Sequence, residues 1–512
     1  MSEPLRHPRW AVDPPPGSPD RELVDNVHPP DWTNPTPAGR YHLVVLGAGT
    51  AGLVTAAGAA GLGAKVALVE RSLMGGDCLN VGCVPSKGVI RAARGWHDAR
   101  TAAERFGAPA AAGDGDFAAA LERMRRVRAG ISAHDSARRF TGLGVDVFLG
   151  DARFLGPDAV AVGDARLDFR RAVIATGARA AAPPIPGLED AGYLTNETVF
   201  DLRERPRRLA VVGAGPIGCE LAQAFRRLGS EVTVLEMADQ VLIREDPDAA
   251  RIVQDALLAD GVRLELGVAV ERVERQADGA RRVRFERGGE SGSVVADHVL
   301  VSVGRKPNVE GLDLEKAQVR HGQHGVEVDD RLRTTNRRIY AAGDVSSRYK
   351  FTHVADAEAR IVIQNALFLG RKKASDLVVP WVTYTSPEIA HVGLYEKDAR
   401  ERGIEVDTVT VDLLAVDRAR LDGEGEGFLR VHLERGKDRI LGATLVSEHA
   451  GETIGELALA ITAGVGMSDV AATIHPYPTQ AEVIKRAADQ WRRGKLTPTV
   501  QKAFAGWFRV FR

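Results

Sequence analysis

The 512-residue sequence predicts an α/β protein that contains two copies of one strand–turn–helix–strand unit and ends in an α+β domain. The first copy is YHLVVLGAGTAG, a helical segment and KVALVE; the second is RRLAVVGAGPIG, a helical segment and EVTVLE. After about residue 375 the strands alternate apolar and polar residues, as in WVTYTSPEIAHVG and RILGATLVS, which favours an antiparallel sheet. A chain of this length corresponds to about three domains.

Composition and charge exclude several classes of protein. The formal net charge is -1, so no overall attraction draws the chain to nucleic acid. No apolar run approaches the roughly 20 residues that cross a bilayer. The amino-terminal MSEPLRHPRWAVDPPPGSPD has prolines and charges where a signal peptide needs an apolar stretch. Three cysteines in the whole chain argue against a secreted disulfide scaffold and against a four-cysteine zinc site. We therefore expect a cytoplasmic protein that binds no nucleic acid and no resident metal ion.

The first 40 residues are rich in proline, with a PPP run and further PP and P-x-P stretches. This composition predicts an extended, poorly packed N-terminal arm over residues 1–40 rather than a domain. Trp10 and Trp32 indicate that parts of the arm lie against another surface.

Each copy of the repeated unit carries G-x-G-x-x-G between a strand and a helix, with an acidic residue about 20 positions further on. In this context the motif predicts a dinucleotide site, because the glycines allow a tight turn, a close approach to a pyrophosphate and close packing of helix on strand. The pyrophosphate would bind at the helix N-terminus, and the acidic residue would accept hydrogen bonds from ribose hydroxyls. The sequence thus predicts two Rossmann-like domains, with Gly47, Gly49, Gly52 and Glu70 in the first and Gly213, Gly215, Gly218 and Glu236 in the second.

The residues that follow the second fingerprint favour NAD over NADP. The Glu236 carboxylate would repel a 2′-phosphate, and Met237 and Ala238 supply no arginine to bind one. We therefore expect NADH as the electron donor, with NADPH as the less favoured alternative.

The segment GGDCLNVGCVPSK places Cys78 and Cys83 close together before a predicted helix over residues 85–106. Cys83 would lie at the N-terminus of that helix, where the dipole stabilises a thiolate and lowers its pKa. A metal site would need two more ligands, and no Cys/His cluster supplies them. A structural disulfide would not need the adjoining lysine and glycines. The pattern predicts a redox-active pair, whereas the isolated Cys219 is interpreted as a buried apolar residue.

These motifs, in this order, resemble the class I pyridine nucleotide–disulfide oxidoreductases over residues 41 to about 490. In that family the second cysteine faces FAD as a thiolate and the first exchanges with substrate, which matches Cys83 and Cys78. The resemblance also implies a lysine beside flavin N5 with a glutamate partner, an aspartate on the FAD ribityl chain, and further contacts to flavin, adenine and nicotinamide dinucleotide. Lys87 matches the lysine and Glu220 matches its partner, whereas Asp344 matches the aspartate on the ribityl chain. Thr352 matches the flavin contact, Ala152 the adenine contact, and Gly304 with Val270 the contacts to nicotinamide dinucleotide.

The resemblance further implies a FAD-binding domain interrupted by an NAD(P)-binding domain and followed by a dimerisation domain. The corresponding ranges are 41–186 and 311–375 for the FAD-binding domain, 187–310 for the NAD(P)-binding domain and 376–490 for the dimerisation domain. In such proteins the last domain completes each active site from the partner chain. We therefore expect a homodimer that holds FAD and NAD and passes electrons to a small-molecule acceptor.

The carboxyl end departs from the family's pattern. Disulfide reductases of this family carry a His-Pro and a following glutamate there, and the histidine serves as the acid–base group. Counting back from Glu482 in HPYPTQAE places Tyr477 at the histidine position, with His475 two residues earlier. A phenol of pKa about 10 is a poor general base at neutral pH, and a tyrosine here resembles mercuric reductase. The three cysteines leave no thiolate relay for a soft metal ion, so the prediction is a mercuric reductase-like enzyme rather than a mercury detoxifier.

Two alternatives stay open at this stage. The first is a dihydrolipoyl dehydrogenase in which His475 is the proton carrier. The second is a flavin redox sensor or an electron donor to a membrane protein, because the amphipathic C-terminal tail, residues 491–512, mixes aromatic and basic side chains suited to a membrane interface. The simpler interpretation of this tail is packing against the dimer or the N-terminal arm.

Overall fold

A computed structural model describes residues 14–511 of the chain. The first part of it contains α1 (Pro19–Val27), β1 (Tyr41–Leu46), α2 (Thr50–Gly61), β2 (Val66–Glu70), α3 (Gly76–Asn80), α4 (Cys83–Phe106), α5 (Phe117–Ser132), α6 (Ala137–Gly142), β3 (Val145–Leu149), β4 (Ala152–Gly156), β5 (Ala159–Val162), β6 (Ala165–Ile174) and β7 (Ala178–Ala180).

The first sheet has the strand order β3-β2-β1-β6-β5-β4, and a later strand, Ile339–Ala341, also pairs with β6. Strands β3, β2, β1 and β6 run parallel, whereas β4 and β5 form an antiparallel hairpin onto β6. The glycine turn that follows β1 and the acidic residue that ends β2 therefore meet at one edge of the sheet, because the carboxyl ends of parallel strands lie together.

The second domain repeats this arrangement. Its elements are α7 (Leu188–Ala191), β8 (Arg208–Val212), α8 (Pro216–Arg227), β9 (Glu231–Glu236), α9 (Pro247–Ala259), β10 (Arg263–Leu266), β11 (Ala269–Arg275), β12 (Arg281–Arg287), β13 (Glu290–Ala296), β14 (His298–Val301) and β15 (Arg305–Pro307). The order β10-β9-β8-β14 forms a parallel sheet, and β11, β12 and β13 form a separate antiparallel sheet. Strand β15 pairs with β7 and so joins this domain to the first.

The chain then returns to the first domain through β16 (His321–Gly322), β17 (Gly325–Val326), β18 (Ile339–Ala341) and α10 (Thr352–Leu367). Strand β18 adds in parallel to β6, and α10 packs on α2. The fold therefore brings the segment after β18 back to the first glycine fingerprint, although more than 280 residues separate them in the sequence.

The last domain contains β19 (Pro380–Thr383), β20 (Glu388–Gly393), α11 (Glu396–Glu401), β21 (Val406–Asp412), α12 (Asp417–Asp422), β22 (Phe428–Glu434), β23 (Ile440–Ser447), α13 (Ala450–Thr453), α14 (Gly455–Ala463), α15 (Met467–Ala472), α16 (Glu482–Gly494) and α17 (Pro498–Val510). Its strands form an antiparallel sheet in the order β19-β20-β23-β22-β21. The predicted fold class, two Rossmann-like domains followed by an α+β domain, is confirmed.

The N-terminal arm differs from the sequence-based expectation within residues 14–40. Helix α1 packs on α5 with Leu23 and Val27 fully buried, so this part of the arm is neither extended nor poorly packed. Ser18 caps the helix by accepting a hydrogen bond from the Arg21 N–H, and a proline fills its first position, where no backbone donor is needed. Trp32 packs against the core of the first domain and donates to the Val147 carbonyl at 3.2 Å. Trp10 lies outside the described residues.

Helix α17, in the C-terminal tail, buries no side chain in the described chain. Phe504, Trp507, Phe508 and Phe511 each expose half or more of their surface. The expected packing of the tail on the arm is therefore not seen between residues 14–40 and α17. Within residues 14–511, no helix is long and apolar enough to cross a membrane.

Candidate active site

The redox pair lies where two helices begin. Cys83 is the first residue of α4, and Cys78 lies in the short helix α3 just before it. The two thiols hydrogen-bond to each other, and Cys83 Sγ lies 3.5 Å from Thr352 Oγ1, at the first position of α10. Cys83 therefore faces the N-termini of two long helices, and both dipoles favour negative charge on its sulfur.

The two thiols differ strongly in acidity. The hydrogen bond from Cys78 lowers the pKa of Cys83 to about 6; Thr352 and the Lys87 ammonium act in the same direction, and burial opposes them. The hydrogen bond to Cys83, followed by burial, raises the pKa of Cys78 well above its usual range. At neutral pH the pair is therefore a Cys83 thiolate that accepts a hydrogen bond from a Cys78 thiol. The third cysteine, Cys219, is fully buried, and burial raises the pKa of its thiol.

This acidity gives a pH prediction. In the FAD-loaded enzyme reduced by two electrons, we expect the long-wavelength absorbance of a thiolate beside flavin to increase as the pH rises through about 6 and to be lost below it, because Cys83 is charged only above its pKa of about 6. An anaerobic spectrophotometric titration measures the midpoint. Thr352→Val removes one hydrogen bond to the thiolate and should move the midpoint upward. A wild-type midpoint at the ordinary thiol value of about 8.5 would contradict the assignment.

Lys87 lies one helical turn after Cys83 on α4 and is tied to the second domain. Its Nζ donates to Glu220 Oε2 at 2.9 Å and lies 4.3 Å from the centre of the Tyr384 ring. The other oxygen of Glu220, a buried residue on α8, accepts the Tyr384 N–H at 2.9 Å. Burial disfavours the ammonium, but the Glu220 carboxylate more than offsets it and raises the pKa of Lys87. Lys87 therefore stays cationic beside the Cys83 sulfur.

The first fingerprint has the shape that a pyrophosphate requires. Gly47 has φ +100°, and a Cβ there would lie 2.3 Å from the Ala175 carbonyl oxygen. A Cβ on Gly52 would lie 1.8 Å from the Gly47 oxygen, so only glycine lets α2 pack this close to β1. Gly49 caps α2 without any side-chain hydrogen bond, which leaves the helix N-terminus available to an anion. These residues therefore fit a dinucleotide pyrophosphate.

The same fingerprint lies directly against the redox pair. A Cβ on Gly76, the first residue of α3, would lie 2.6 Å from the Gly49 Cα. At the end of β2, the Glu70 carboxylate accepts the N–H groups of Ala48 and Ser72, both at 2.7 Å. A dinucleotide on this turn therefore has Cys78, two residues after Gly76, at one end of its site.

The second fingerprint reproduces this construction. Gly213 has φ +102°, and a Cβ on Gly218 would lie 2.0 Å from the Gly213 oxygen. Glu236 ends β9 and accepts the N–H groups of Ala214 at 2.6 Å and Ala238 at 3.0 Å. Gly215 caps α8 without a side-chain bond, as Gly49 caps α2. The second turn therefore also fits a dinucleotide.

The surroundings of Glu236 support the preference for NADH. An open cleft of about 380 Å³ lies at the end of β9. Its described lining has four apolar residues, one acidic residue and one neutral amide but no lysine or arginine: Met237, Ala238, Ile243, Pro247, Asp239 and Gln240. Met237 is largely exposed in this cleft. We expect Met237→Arg to improve kcat/KM for NADPH by about tenfold, because a single favourable phosphate contact contributes about 1.4 kcal/mol or more. Initial rates with both donors measure this, with Met237→Gln as the neutral control. Equal NADPH kinetics for the arginine and glutamine variants would contradict the prediction.

Asp344 belongs to an ion-pair network that the sequence alone does not reveal. Arg305 Nη2 lies 2.6 Å from Asp77 Oδ2, and Arg305 Nε lies 3.4 Å from Asp344 Oδ2. Burial raises the pKa of Asp344, and Arg305 opposes this shift. Arg305 thus links the residue before Cys78 to the expected ribityl contact. Arg305 directly follows Gly304 in the VGRKPN motif, but only the fold shows that Arg305 pairs with Asp77.

The other predicted contact residues are divided between the first and second domains. Ala152 begins β4 in the first domain, and Val270 packs against the core of the second domain. Gly304, with φ +79°, lies between β14 and β15. No group of three or more His, Cys, Asp or Glu side chains within residues 14–511 has the arrangement of a metal site.

His475, Tyr477 and Glu482, in the C-terminal motif that differs from the family's pattern, all lie in the last domain. No described contact joins them to Cys78 or Cys83 in one chain. His475 is nearly buried, with Nε2 2.9 Å from Glu456 Oε1 and Nδ1 3.3 Å from the Thr473 carbonyl. Glu482 pairs with Arg486 at 2.8 Å and does not orient an imidazole.

Tyr477 is the exposed member of this group. It exposes 70% of its surface, and its hydroxyl donates to Asp417 Oδ2 at 3.1 Å. The hydrogen bond to the Asp417 carboxylate raises the pKa of Tyr477. The phenol is therefore held in its protonated form.

Comparison with known proteins decides the family. Residues 41–359 match the family described as pyridine nucleotide-disulphide oxidoreductase, and residues 379–488 match the dimerisation domain of that family. The chain belongs to the pyridine nucleotide-disulphide oxidoreductases. Members of this family bind FAD and use NAD(P)H, so this flavoenzyme has those cofactors.

Curated relatives include two kinds of enzyme. The mercuric reductase of Staphylococcus aureus is 38% identical over 452 residues, which cover 88% of this chain and 82% of that protein. The mercuric reductase of Bacillus cereus is 37% identical over 448 residues, which cover 87% and 71%. The dihydrolipoyl dehydrogenase of Thermus scotoductus is 36% identical over 461 residues, which cover 88% and 97%. These similar identities do not separate the two activities for this flavoenzyme.

Solved structures give the same architecture. The Cu(II) complex of the HOCl-induced flavoprotein disulfide reductase RclA from Escherichia coli matches with a TM-score of 0.77 and 30% identity, covering 87% of this chain and 98% of that one. LpdA from Mycobacterium tuberculosis matches with a TM-score of 0.80 and 27% identity, covering 88% and 99%. The flavoenzyme therefore shares the fold of flavoprotein disulfide reductases.

Proposed function

We propose that this enzyme uses NADH to reduce the Cys78–Cys83 pair and that Cys78 then reduces a small acceptor. The observation that carries the proposal is the placement of Cys83 at the N-terminus of α4, 3.5 Å from Thr352 Oγ1 at the start of α10 and one turn before the Lys87 ammonium, with Cys78 in the preceding short helix. The low pKa of Cys83 agrees with this placement. Bound FAD would accept hydride from the nicotinamide and return the electron pair to sulfur. The residues that would hold it are the first fingerprint, Glu70 and Asp344.

The chain's own residues account for the proton balance. Two electrons and one proton convert the Cys78–Cys83 disulfide into a Cys83 thiolate and a Cys78 thiol. The Lys87 ammonium and the two helix N-termini stabilise the thiolate electrostatically, and the sulfur keeps its negative charge. Cys78 keeps the proton and is the sulfur that meets the acceptor. Re-forming the disulfide releases the electron pair and the proton.

The residue expected to face Cys78 favours a substrate that takes up electrons without the help of a strong base. Since residues 379–488 match a dimerisation domain, we propose a homodimer in which Tyr477 of the partner subunit faces Cys78. A phenol held protonated by a carboxylate can donate a hydrogen bond but is a weak base. Metal complexes and quinones accept electrons without general-base help, so this class fits the site better than a dithiol. The resemblance to mercuric reductases and to a reductase solved with Cu(II) agrees with it.

Dihydrolipoyl dehydrogenase activity is the alternative within enzymes. Relatives of that kind and the His475–Glu456 pair favour it, because a carboxylate-bound imidazole is a usual proton carrier. The geometry disfavours it, since both ring nitrogens of His475 already lie within hydrogen-bonding distance of Glu456 and Thr473. Rapid lipoamide turnover that disappears in His475→Ala would favour this alternative.

A panel of acceptors tests the proposed function. The FAD-loaded enzyme is reduced anaerobically with NADH, and reoxidation is followed with lipoamide, glutathione disulfide, Hg(II), Cu(II) and quinones. We expect faster reoxidation by a metal ion or quinone than by either disulfide. A disulfide that reoxidises the enzyme fastest would overturn the proposal. Cys78→Ser is the control, because reoxidation through the pair should be lost in it.

A second candidate function, electron donation at a membrane, is favoured by the tail. The C-terminal tail, residues 491–512, contains six Lys or Arg and no Asp or Glu, in a chain whose net charge is -1. On α17 the aromatic residues share one side, whereas Lys502 and Arg509 lie on the other. We infer an anionic phospholipid surface as the occupant of this face, because aromatic insertion and basic attraction both stabilise such contact.

Vesicle sedimentation of the full-length, FAD-loaded enzyme tests this candidate. We expect binding to vesicles that contain phosphatidylserine but not to phosphatidylcholine alone, and at least a tenfold loss of binding in Trp507→Ser/Phe508→Ser. Ala505→Ser, on the polar side of α17, is the matched control. Equal binding to vesicles with and without phosphatidylserine would refute the membrane contact. It would also be refuted if the double variant changed the mass of the dimer but left vesicle binding unchanged.

A further inference from the structure

The N-terminal arm packs on the loop that carries the redox pair. Residues 14–40 precede the segment that matches the family, which begins at residue 41. Leu23 and Val27 of α1 are fully buried in one apolar cluster with Met74 and Leu79, and Leu79 directly follows Cys78. The arm is therefore part of the core that supports Cys78.

A buried ion pair continues this contact to the loop backbone. Arg128 of α5 donates through Nη2 to Asp20 Oδ1 at 2.9 Å and through Nη1 to the Asn80 carbonyl at 2.9 Å. The side chains of Arg128 and Asp20 are only 1% and 8% exposed. The second Asp20 oxygen accepts Arg203 at 2.5 Å. One guanidinium thus bridges the arm and α3, which ends at Asn80.

Asn80 and two further bonds hold the rest of the loop. The Asn80 side-chain amide donates to the carbonyls of Met74 at 3.0 Å and Gly76 at 2.8 Å, which closes the loop on itself. The Met74 N–H donates to the Val27 carbonyl at 3.1 Å, and His28 Nδ1 lies 2.5 Å from the Ser72 carbonyl. Arm contacts therefore occur on both sides of Cys78.

We propose that Asp20 of the arm, acting through Arg128 and the Asn80 carbonyl, positions Cys78 for disulfide exchange with Cys83. Asp20 touches neither sulfur, so it is a positioning residue. A loop held in place keeps the Cys78 sulfur at high effective concentration beside Cys83, which stabilises the disulfide relative to the dithiol. Without Asp20, Arg128 loses a buried charge partner, and its anchor on the Asn80 carbonyl weakens.

The equilibrium with glutathione measures this role in the FAD-loaded, full-length enzyme. The reaction converts the protein disulfide and two glutathione thiols into the protein dithiol and glutathione disulfide, and alkylation of Cys78 reports the reduced fraction. We expect Asp20→Asn to favour the dithiol by about tenfold, equivalent to about 30 mV for two electrons. Asp20→Glu, which keeps the charge, should restore most of the wild-type equilibrium.

A matched control separates positioning from general stability. Asp246 is also 8% exposed and pairs with Arg430 at 2.6 Å, and its described contacts do not include the redox loop. Asp246→Asn should change the equilibrium less than twofold. A wild-type equilibrium in Asp20→Asn, or an equal shift in Asp246→Asn, would overturn the proposal.

If Asp20→Asn does not bind FAD, Arg128→Lys replaces it as the test variant. A lysine lacks the forked guanidinium that reaches both Asp20 and Asn80, so the same shift toward the dithiol is expected. The acceptor does not enter this measurement, so the result is independent of the proposed function.

Discussion

Cys83→Ser should retain FAD and lose turnover by at least about a thousandfold, because a serine hydroxyl is neither a leaving thiolate nor a disulfide partner. The fingerprint that fits the dinucleotide does not involve this side chain, so the protein should stay yellow. The reduced variant should also lack long-wavelength absorbance, since Cys83 supplies the thiolate of low pKa. NADH oxidation with the best acceptor and absorbance spectra under argon measure both effects.

Cys219→Ser is the matched control for this substitution. Cys219 is fully buried, and its thiol donates to the Ala214 carbonyl at 3.3 Å, a bond that a serine hydroxyl retains. We expect this variant to keep both turnover and the long-wavelength band. A reduced Cys83→Ser enzyme that still shows the band would contradict the placement of Cys83 beside the flavin.

Gly52→Ala should weaken FAD binding by about tenfold to a hundredfold. The added Cβ would lie 1.8 Å from the Gly47 oxygen, an atom of the backbone, so β1 and α2 must separate. Overpacking of this kind costs about 1–3 kcal/mol, and each 1.4 kcal/mol is a factor of ten in affinity. The visible absorbance of the purified protein, before and after reconstitution with FAD, measures the loss.

Gly61→Ala provides the control on the same helix. A Cβ at Gly61 meets no atom within 4 Å, and alanine stabilises a helix relative to glycine. This variant should bind FAD as the wild type does. Full FAD occupancy in Gly52→Ala would show that the first fingerprint tolerates a side chain and is not the FAD turn.

Local patterns were enough to predict the repeated design of the molecule. Each fingerprint depends on residues that are a few positions apart, and the strand before it and the acidic residue after it are properties of the same segment. The helix after Cys83 likewise followed from its own sequence and begins at Cys83 itself. Antiparallel β21 and the β4–β5 hairpin were not predicted, because their short alternating segments carry weak signals.

Proline content gave the wrong expectation for part of the arm. Composition predicts that residues 1–40 gain little by ordering, but residues 19–27 form a helix because Leu23 and Val27 find an apolar surface on α5. That surface is about a hundred residues away in the sequence, so the arm alone does not reveal it. The exposed aromatic face of α17 shows the opposite case, in which an amphipathic pattern has no partner within the described chain.

By itself the sequence determined that the protein binds FAD and NAD(P)H and predicted which two sulfurs exchange electrons, since both depend on short motifs whose geometry is local. Only the tertiary structure decided what surrounds the sulfurs: Thr352 at the thiolate, Arg305 between Asp77 and Asp344, and the arm behind Asn80. These partners lie on segments distant in sequence. Their hydrogen bonds and ion pairs exist because chain folding, and not residue order, sets which side chains share a low-dielectric interior.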